Sequence, residues 1–418
     1  MNRLTPRAQY ALVLLFPFAC EAANAQQPQR TSSAFNPAIS AILQGKLHAY
    51  SQDPDEYSLP GFQMGGKAGL EPEGFNLSET ELIFSANIDH LFYGQVTIGA
   101  HEDENTTEFD LEEAFVDALG LPGGLSVRFG RFYSEIGYLN KFHSHAWDFH
   151  DEPLAYRAFL GRQYRDDGLQ FNWVAPTDLY LRLSAETLRG DTFPGGGAHD
   201  DFGNTQNISL QIGGDVGIGN SWQLGLSQMW TEADDRAGAG HAHGHEEEGA
   251  ETAFAGDSDL TIVDFVWKWA PEGNPRDRNF IFQAEYFYRE EDGEVRFTEG
   301  DESALLDYKG EQTGWYAQAV YQFIRNWRAG IRYDQLSPDN ELTAIETAGI
   351  DADEAIEESG LINDGHDPER WSAMLDYSPS EFSRIRLQYN HDDSGPETNR
   401  QWTLQYIMSI GAHGAHEF

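Results

Sequence analysis

The chain has 418 residues, with 69 acidic against 27 basic side chains and a formal net charge of −42. Such a charge repels the nucleic-acid backbone and excludes nucleic acid as a partner, and a single cysteine, Cys20, excludes a disulfide scaffold. Beyond residue 25 no apolar run approaches the ~20 residues of a membrane helix, which leaves a water-soluble domain or a β-barrel whose strands carry their lipid face by alternation.

The chain opens with MNRLTPRAQYALVLLFPFACEAANA. Arg3 and Arg7 precede an apolar run from Ala8 to Ala19, and Ala23-Asn24-Ala25 has the small-x-small pattern of a cleavage site. Residues 1–25 therefore read as a secretory signal peptide and 26–418 as the exported domain.

From there the apolar residues recur with period two. Trp327, Ala329, Ile331 and Tyr333 alternate with Arg328 and Arg332; Ile385, Leu387 and Tyr389 alternate with Arg384, Arg386 and Gln388; Trp402, Leu404, Tyr406 and Met408 alternate with glutamines and Thr403. Period two with one apolar face specifies strands. The runs number about sixteen, near 38–50, 75–89, 92–101, 108–119, 124–138, 167–175, 178–190, 204–216, 220–232, 258–270, 279–291, 311–324, 327–337, 369–378, 382–393 and 399–412.

The connections carry a second pattern. Tight turns follow the even-numbered strands, at Asp89-His90-Leu91, Leu121–Gly124, Pro176-Thr177, Gly217–Gly219, Pro271–Pro275, Arg325-Asn326 and Pro379-Ser380. The joints between them, 51–74, 102–107, 139–166, 191–203, 233–257, 292–310, 338–368 and 394–398, are mostly long and acidic or glycine-rich. An even strand count with strict short-long alternation, and both termini on the short-turn side, is the layout of a transmembrane antiparallel β-barrel, with short periplasmic turns and long extracellular loops. Aromatic pairs at both ends of the predicted lipid faces (Trp222 and Trp230, Trp315 and Phe323, Trp327 and Tyr333, Trp371 and Tyr377) fit the girdles of such a barrel, and the chain ends on an aromatic, Phe418. The fold expected is all-β, in the outer membrane of a Gram-negative cell, with lipid and lipopolysaccharide around it.

The segment LEEAFVDAL, Leu111–Leu119, followed by GLSVRFGRF, Gly124–Phe132, resembles the hairpin of Gram-negative porins of the phosphate-selective type, where an acidic-aromatic strand precedes an "LRxGRF" strand. The close match covers about thirty residues, and the architecture covers the exported chain. The resemblance implies that the third outer loop, 139–166, folds into the lumen and sets the constriction, and that homotrimers form.

That loop contains HSHAWDFHDE. His143, His145, Asp148 and His150 offer the nitrogen and oxygen ligands of zinc or another divalent ion, or else hydrogen-bond the loop to the wall. In the fifth loop, 233–257, the alternating His241, His243 and His245 beside Glu246–Glu248 read as a labile metal-capturing tract or as a solvated polar loop. Inward-facing Arg128, Arg182, Arg328, Arg332, Arg384 and Arg386 would line the channel, either holding the third loop or forming an anion ladder. No nucleophile elbow, His-Glu-x-x-His motif or phosphate loop is present, so no enzyme is expected. The expected function is passive uptake of small hydrophilic solutes, with divalent metal ions such as zinc among them. An anion-selective porin and a non-conducting structural barrel are the alternatives. No cofactor is required, and a divalent ion would be held weakly, because a pore must release what it binds.

Overall fold

The computed structural model describes residues 37–65, 68–103, 106–196, 203–238, 250–363 and 365–411, with only the backbone at 101–103 and 106–107. The expected signal peptide (1–25), the histidine tract of His241, His243 and His245, and the terminal Phe418 lie outside the described residues.

Sixteen antiparallel strands close into one barrel. They are β1 (Ala38–Ala49), β2 in two pieces (Gly74–Leu77 and Thr80–Asn87), β3 (Phe92–Asp103), β4 (Thr106–Ala118), β5 (Leu125–Tyr133), β6 (Arg165–Val174), β7 (Tyr180–Leu188) and β8 (Thr205–Asp215). The second half is β9 (Asn220–Ala237), β10 (Glu251–Trp269), β11 (Asn279–Glu299), β12 (Glu302–Ile324), β13 (Trp327–Ala348), β14 (Glu369–Ser380), β15 (Ser383–Asp393) and β16 (Asn399–Gly411). Each strand pairs with its neighbours in sequence, and β1 closes on β16 from Ser40 opposite Gly411 to Ala49 opposite Trp402. Closure leaves no edge strand and pairs the ladder groups internally, which is what lipid demands.

The alternation read in the sequence is the wall itself. On β12 the outward series Trp315, Ala317, Ala319, Tyr321, Phe323 is exposed or half-exposed, while Tyr316, Gln318 and Val320 between them are buried inside. Trp315, Tyr333 and Trp371 touch across three strands, with ring centroids 5.3 and 4.5 Å apart, and Trp327 meets Tyr377 at 4.7 Å nearer the turns. These are the two girdles.

Two expectations need correction. The joints at 292–310 and 102–107 are largely strand: β11 and β12 stay paired up to a turn at Gly300-Asp301, and β3 and β4 extend to Asp103 and Thr106. Likewise β13 continues to Ala348, ahead of a short helix at Ala352–Glu358. Above Trp315 the outward residues of β12 become Thr313, Glu311, Lys309 and Asp307, so this part of the wall stands clear of lipid and has no apolar stripe to read. The lumen is also less wet than expected. The third outer loop, 134–164, crosses the interior and carries a buried helix, Leu154–Leu160, and the first loop, described at 50–65 and 68–73, folds inward beside it. Phe62, Trp147, Leu154, Phe159 and Leu160 pack there against wall residues Phe132, Phe287 and Leu336.

Candidate metal centre on the third loop

Loop 134–164 is fixed to the wall at both ends. At its start Ser134 and the Glu135 amide donate to Glu186, and the amides of Tyr138 and Leu139 donate to the Glu285 carboxylate at 2.9 and 3.2 Å. Gly137 has φ 66°, and a Cβ there would stand 2.6 Å from Glu285 Oε2, so the chain can pass this close only without a side chain. Farther on, Asp151 is clasped by β13–β15: Arg332 Nη2 at 2.9 Å, Gln388 Nε2 at 2.8 Å, Asn390 Nδ2 at 3.0 Å and Arg370 Nη1 at 3.1 Å. Burial pushes the Asp151 carboxyl up, but the two guanidiniums outweigh it and hold it well below its ordinary value.

Between these anchors a single 3-10 turn, Ser144–Ala146, stacks the rings of His143 and His145 with centroids 5.7 Å apart. They face carboxylates supplied by two irregularities in the wall. In β4, Thr97 opposes Glu113 and Ile98 opposes Leu111, so Glu112 is an extra, bulged residue. Strict alternation would turn one of the Glu112-Glu113 pair outward; the bulge turns both inward, 2% and 6% exposed. Gly99 on β3 makes room, since a Cβ there would lie 2.2 Å from Glu112 Oε1. In β2 the break at Ser78-Glu79 likewise inserts a residue against β1, and it is followed by the fully buried Glu81.

The result is one cluster. His143 Nε2 donates to Glu113 Oε2 at 2.9 Å, and its Nδ1 lies 3.3 Å from Glu81 Oε2 and 3.4 Å from Glu112 Oε2. His145 Nδ1 is 2.8 Å from Glu81 Oε1, and Ser144 Oγ donates to Glu79 at 2.7 Å. Burial alone would pull the His143 imidazole down; Glu81, Glu112 and Glu113 outweigh it and hold it well above its ordinary value. Of the contacts at 3.3 and 3.4 Å neither is aligned as a hydrogen bond: His143 Nδ1, Glu81 Oε2 and Glu112 Oε2 are buried without a hydrogen-bond partner.

Asp148 and His150, expected to act with these histidines, are elsewhere. Asp148 accepts from Arg328 Nη1 at 2.7 Å. His150 sits by β1, its ring centroid 5.6 Å from that of His48, near the Lys46–Glu71 pair; burial holds it well below its ordinary value despite Asp151. The six inward arginines are engaged as well. Arg128 forks onto Asp117 (2.7 and 3.1 Å), Arg182 reaches Glu135 (2.6 Å), Arg328 forks onto Asp376 (3.1 and 2.6 Å), and Arg332 also binds Asp334 (3.0 Å). Arg384 and Arg386 donate to the Trp147 carbonyl at 3.3 and 2.9 Å. Glu81, Glu112 and Glu113 escape a reading of the sequence because bulges break the parity used to assign faces, although an acidic doublet inside an alternating strand is a usable signal. Between the loops and the wall lies a cavity of about 1680 Å³, lined by His48, Tyr50, Glu71, His150 and Arg157 among others.

A closed barrel with an apolar belt, two aromatic girdles and an inward-folded third loop is a transmembrane barrel of the Gram-negative outer membrane. The chain belongs to one family with an uncharacterized protein of Aquifex aeolicus (strain VF5), to which it is 33% identical over 409 residues, 93% of this chain and 81% of that one. No family model matches it. Among solved structures it is similar in fold to the outer membrane channel DcaP of Acinetobacter baumannii (TM-score 0.51, 12% identity, 89% of this chain and 96% of that one). It is also similar to OmpT of Vibrio cholerae (0.49, 9%, 89% and 98%) and OprB of Pseudomonas putida (0.48, 11%, 90% and 94%).

Proposed function

We propose that this protein is a porin-like channel that passes small hydrophilic solutes passively, cations ahead of anions, with divalent transition-metal ions such as zinc among them. The observation that carries this reading is the asymmetry of the lumen. Where loop 134–164 crosses, the β2–β4 wall offers Glu81, Glu112 and Glu113 to two histidines and Glu79 to Ser144, while the six arginines expected to line an anion path are spent on carboxylates and on the loop. A guanidinium already forked onto a carboxylate has little left for a passing anion.

The apolar packing of both loops inside the barrel favours a second reading, a structural barrel that does not conduct. Planar bilayers separate the two: the channel reading expects discrete conductance steps, zinc permeating ahead of magnesium, and loss of that preference in the His143→Ala/His145→Ala double variant. Silent membranes at saturating protein would remove it. Assembly as a homotrimer belongs to the same proposal. Its support is an outward apolar groove that runs past Phe84, Gly94, Val96 and Phe129 on β2–β5.

A further inference from the structure

The geometry points to a specific metal centre built from Glu81, Glu112, His143 and His145, with Glu113 orienting His143. It rests on the channel reading and deepens it by giving the divalent solute a defined, saturable site. The two carboxylates come from separate strands and both imidazoles from one turn of the third loop, so an ion held there joins loop to wall.

Three observations converge. Glu81 and Glu112 are 0% and 2% exposed, and each aims an oxygen with no hydrogen-bond partner at the same ring nitrogen, His143 Nδ1, itself without one. Orphaned polar atoms at this depth are costly to maintain, and two such oxygens converging on one orphaned nitrogen call for a shared partner. The spacing is also informative. Ligands about 2.0–2.1 Å from a tetrahedral zinc lie about 3.3–3.4 Å from each other, and the Nδ1–oxygen separations are 3.3 and 3.4 Å, misaligned for hydrogen bonds yet matched to the edges of a coordination tetrahedron. Glu81, His143 and His145 each bring a ligand atom within 4.8 Å of the others, and Glu112, outside that triad but 3.4 Å from His143 Nδ1, would close on the ion as the fourth ligand. Finally, His143 gives its other nitrogen to Glu113 at 2.9 Å, which fixes the tautomer with Nδ1 as the ligand atom. This carboxylate–histidine pairing is the outer arrangement that orients and strengthens metal-binding imidazoles. Mixed imidazole and carboxylate donors suit zinc and its neighbours, whereas magnesium and calcium prefer oxygen alone.

The test uses the full barrel in detergent, with His241, His243 and His245 replaced by alanine so that the outer tract contributes no binding. Zinc is titrated by equilibrium dialysis, and the bound ion is examined by X-ray absorption. The expected result is one zinc per chain with two imidazole ligands, retained over an excess of magnesium. Glu81→Gln and Glu112→Gln should each weaken binding at least about tenfold, and Glu113→Gln about 10–100-fold. His145→Ala should leave one imidazole on the ion, and His391→Ala, remote and exposed, should change nothing. Strand content by circular dichroism shows that each variant has folded. Unchanged affinity in Glu81→Gln and His145→Ala, or an ion coordinated by oxygen alone, would overturn the assignment. Saturable binding without conductance would keep the metal centre and remove the channel; conductance without saturable binding would do the reverse.

Discussion

Asp151→Asn should release the third loop. Asp151 is 7% exposed, accepts hydrogen bonds from Arg332, Gln388 and Asn390 and pairs with Arg370, the two guanidiniums being 1% and 0% exposed. Removing one partner of a buried ion pair costs about 3–5 kcal/mol, because the other charge stays behind uncompensated. Asp334 remains 3.0 Å from Arg332 and 3.5 Å from Arg370, leaving one carboxylate for two guanidiniums, so the lower end of about 3 kcal/mol applies. At about 1.4 kcal/mol per tenfold, the undocked loop becomes roughly a hundredfold more populated. Trypsin reads that population directly, since Lys141, Arg157 and Arg162 lie in the loop and cleavage tracks the open fraction when reclosing is fast. Cutting within 134–164 should accelerate by about two orders of magnitude in detergent-folded Asp151→Asn. Cleavage at the parental rate would refute the clasp as the anchor of the loop.

Protonation of His150 should loosen the same loop. Burial depresses the His150 imidazole among Lys46, His48, Glu71 and Asp151, so its contribution to docking is complete above the ordinary imidazole value of about 6.5 and is lost as pH falls below it toward the folded-state value. His143, held above its ordinary value, contributes in the opposite sense, so the His150 share is read as a difference: between about pH 7 and pH 5 acid should promote trypsin cleavage more in the parent than in His150→Gln, and equal responses would count against this. Gly99→Ala would place a Cβ 2.2 Å from Glu112 Oε1, push that carboxylate aside and weaken zinc binding several-fold with the barrel intact, as dialysis would report. On the outside, Ile331 is 59% exposed in the belt between Trp327 and Tyr333, and Ile331→Arg should destabilise the folded barrel in bilayers by about 2–4 kcal/mol in a denaturant titration. A change under ~0.5 kcal/mol would mean that this face does not meet lipid.

The lipid-facing half of the molecule is legible because lipid enforces it: every second residue of β12 from Trp315 to Phe323 must tolerate hydrocarbon, and that requirement writes a period into the sequence. Where β11–β13 rise above the girdle the requirement lapses, and 292–310 reads like an acidic loop although it is a paired hairpin. The inward fold of residues 50–65 leaves no periodic trace, since its Leu59, Phe62 and Met64 are spaced by turn residues. His143 and His145 are legible by type and spacing, but their partners are not. Proximity in sequence suggests Asp148 and His150, which the loop carries away to Arg328 and to β1 as it crosses the lumen. The carboxylates that meet the histidines come from strands about 30 to 60 residues away, turned inward by bulges that no count of alternation anticipates.

The proposed channel requires an acid-lined lumen that prefers cations as a passage through the outer membrane. Reversal potential across a planar bilayer under a potassium chloride gradient reads that preference, because the sign reports which ion carries the current. A sign set by potassium, moving toward zero when Glu81 and Glu113 are neutralised to glutamine, is the predicted result. A sign set by chloride, or a membrane that stays silent, would contradict it.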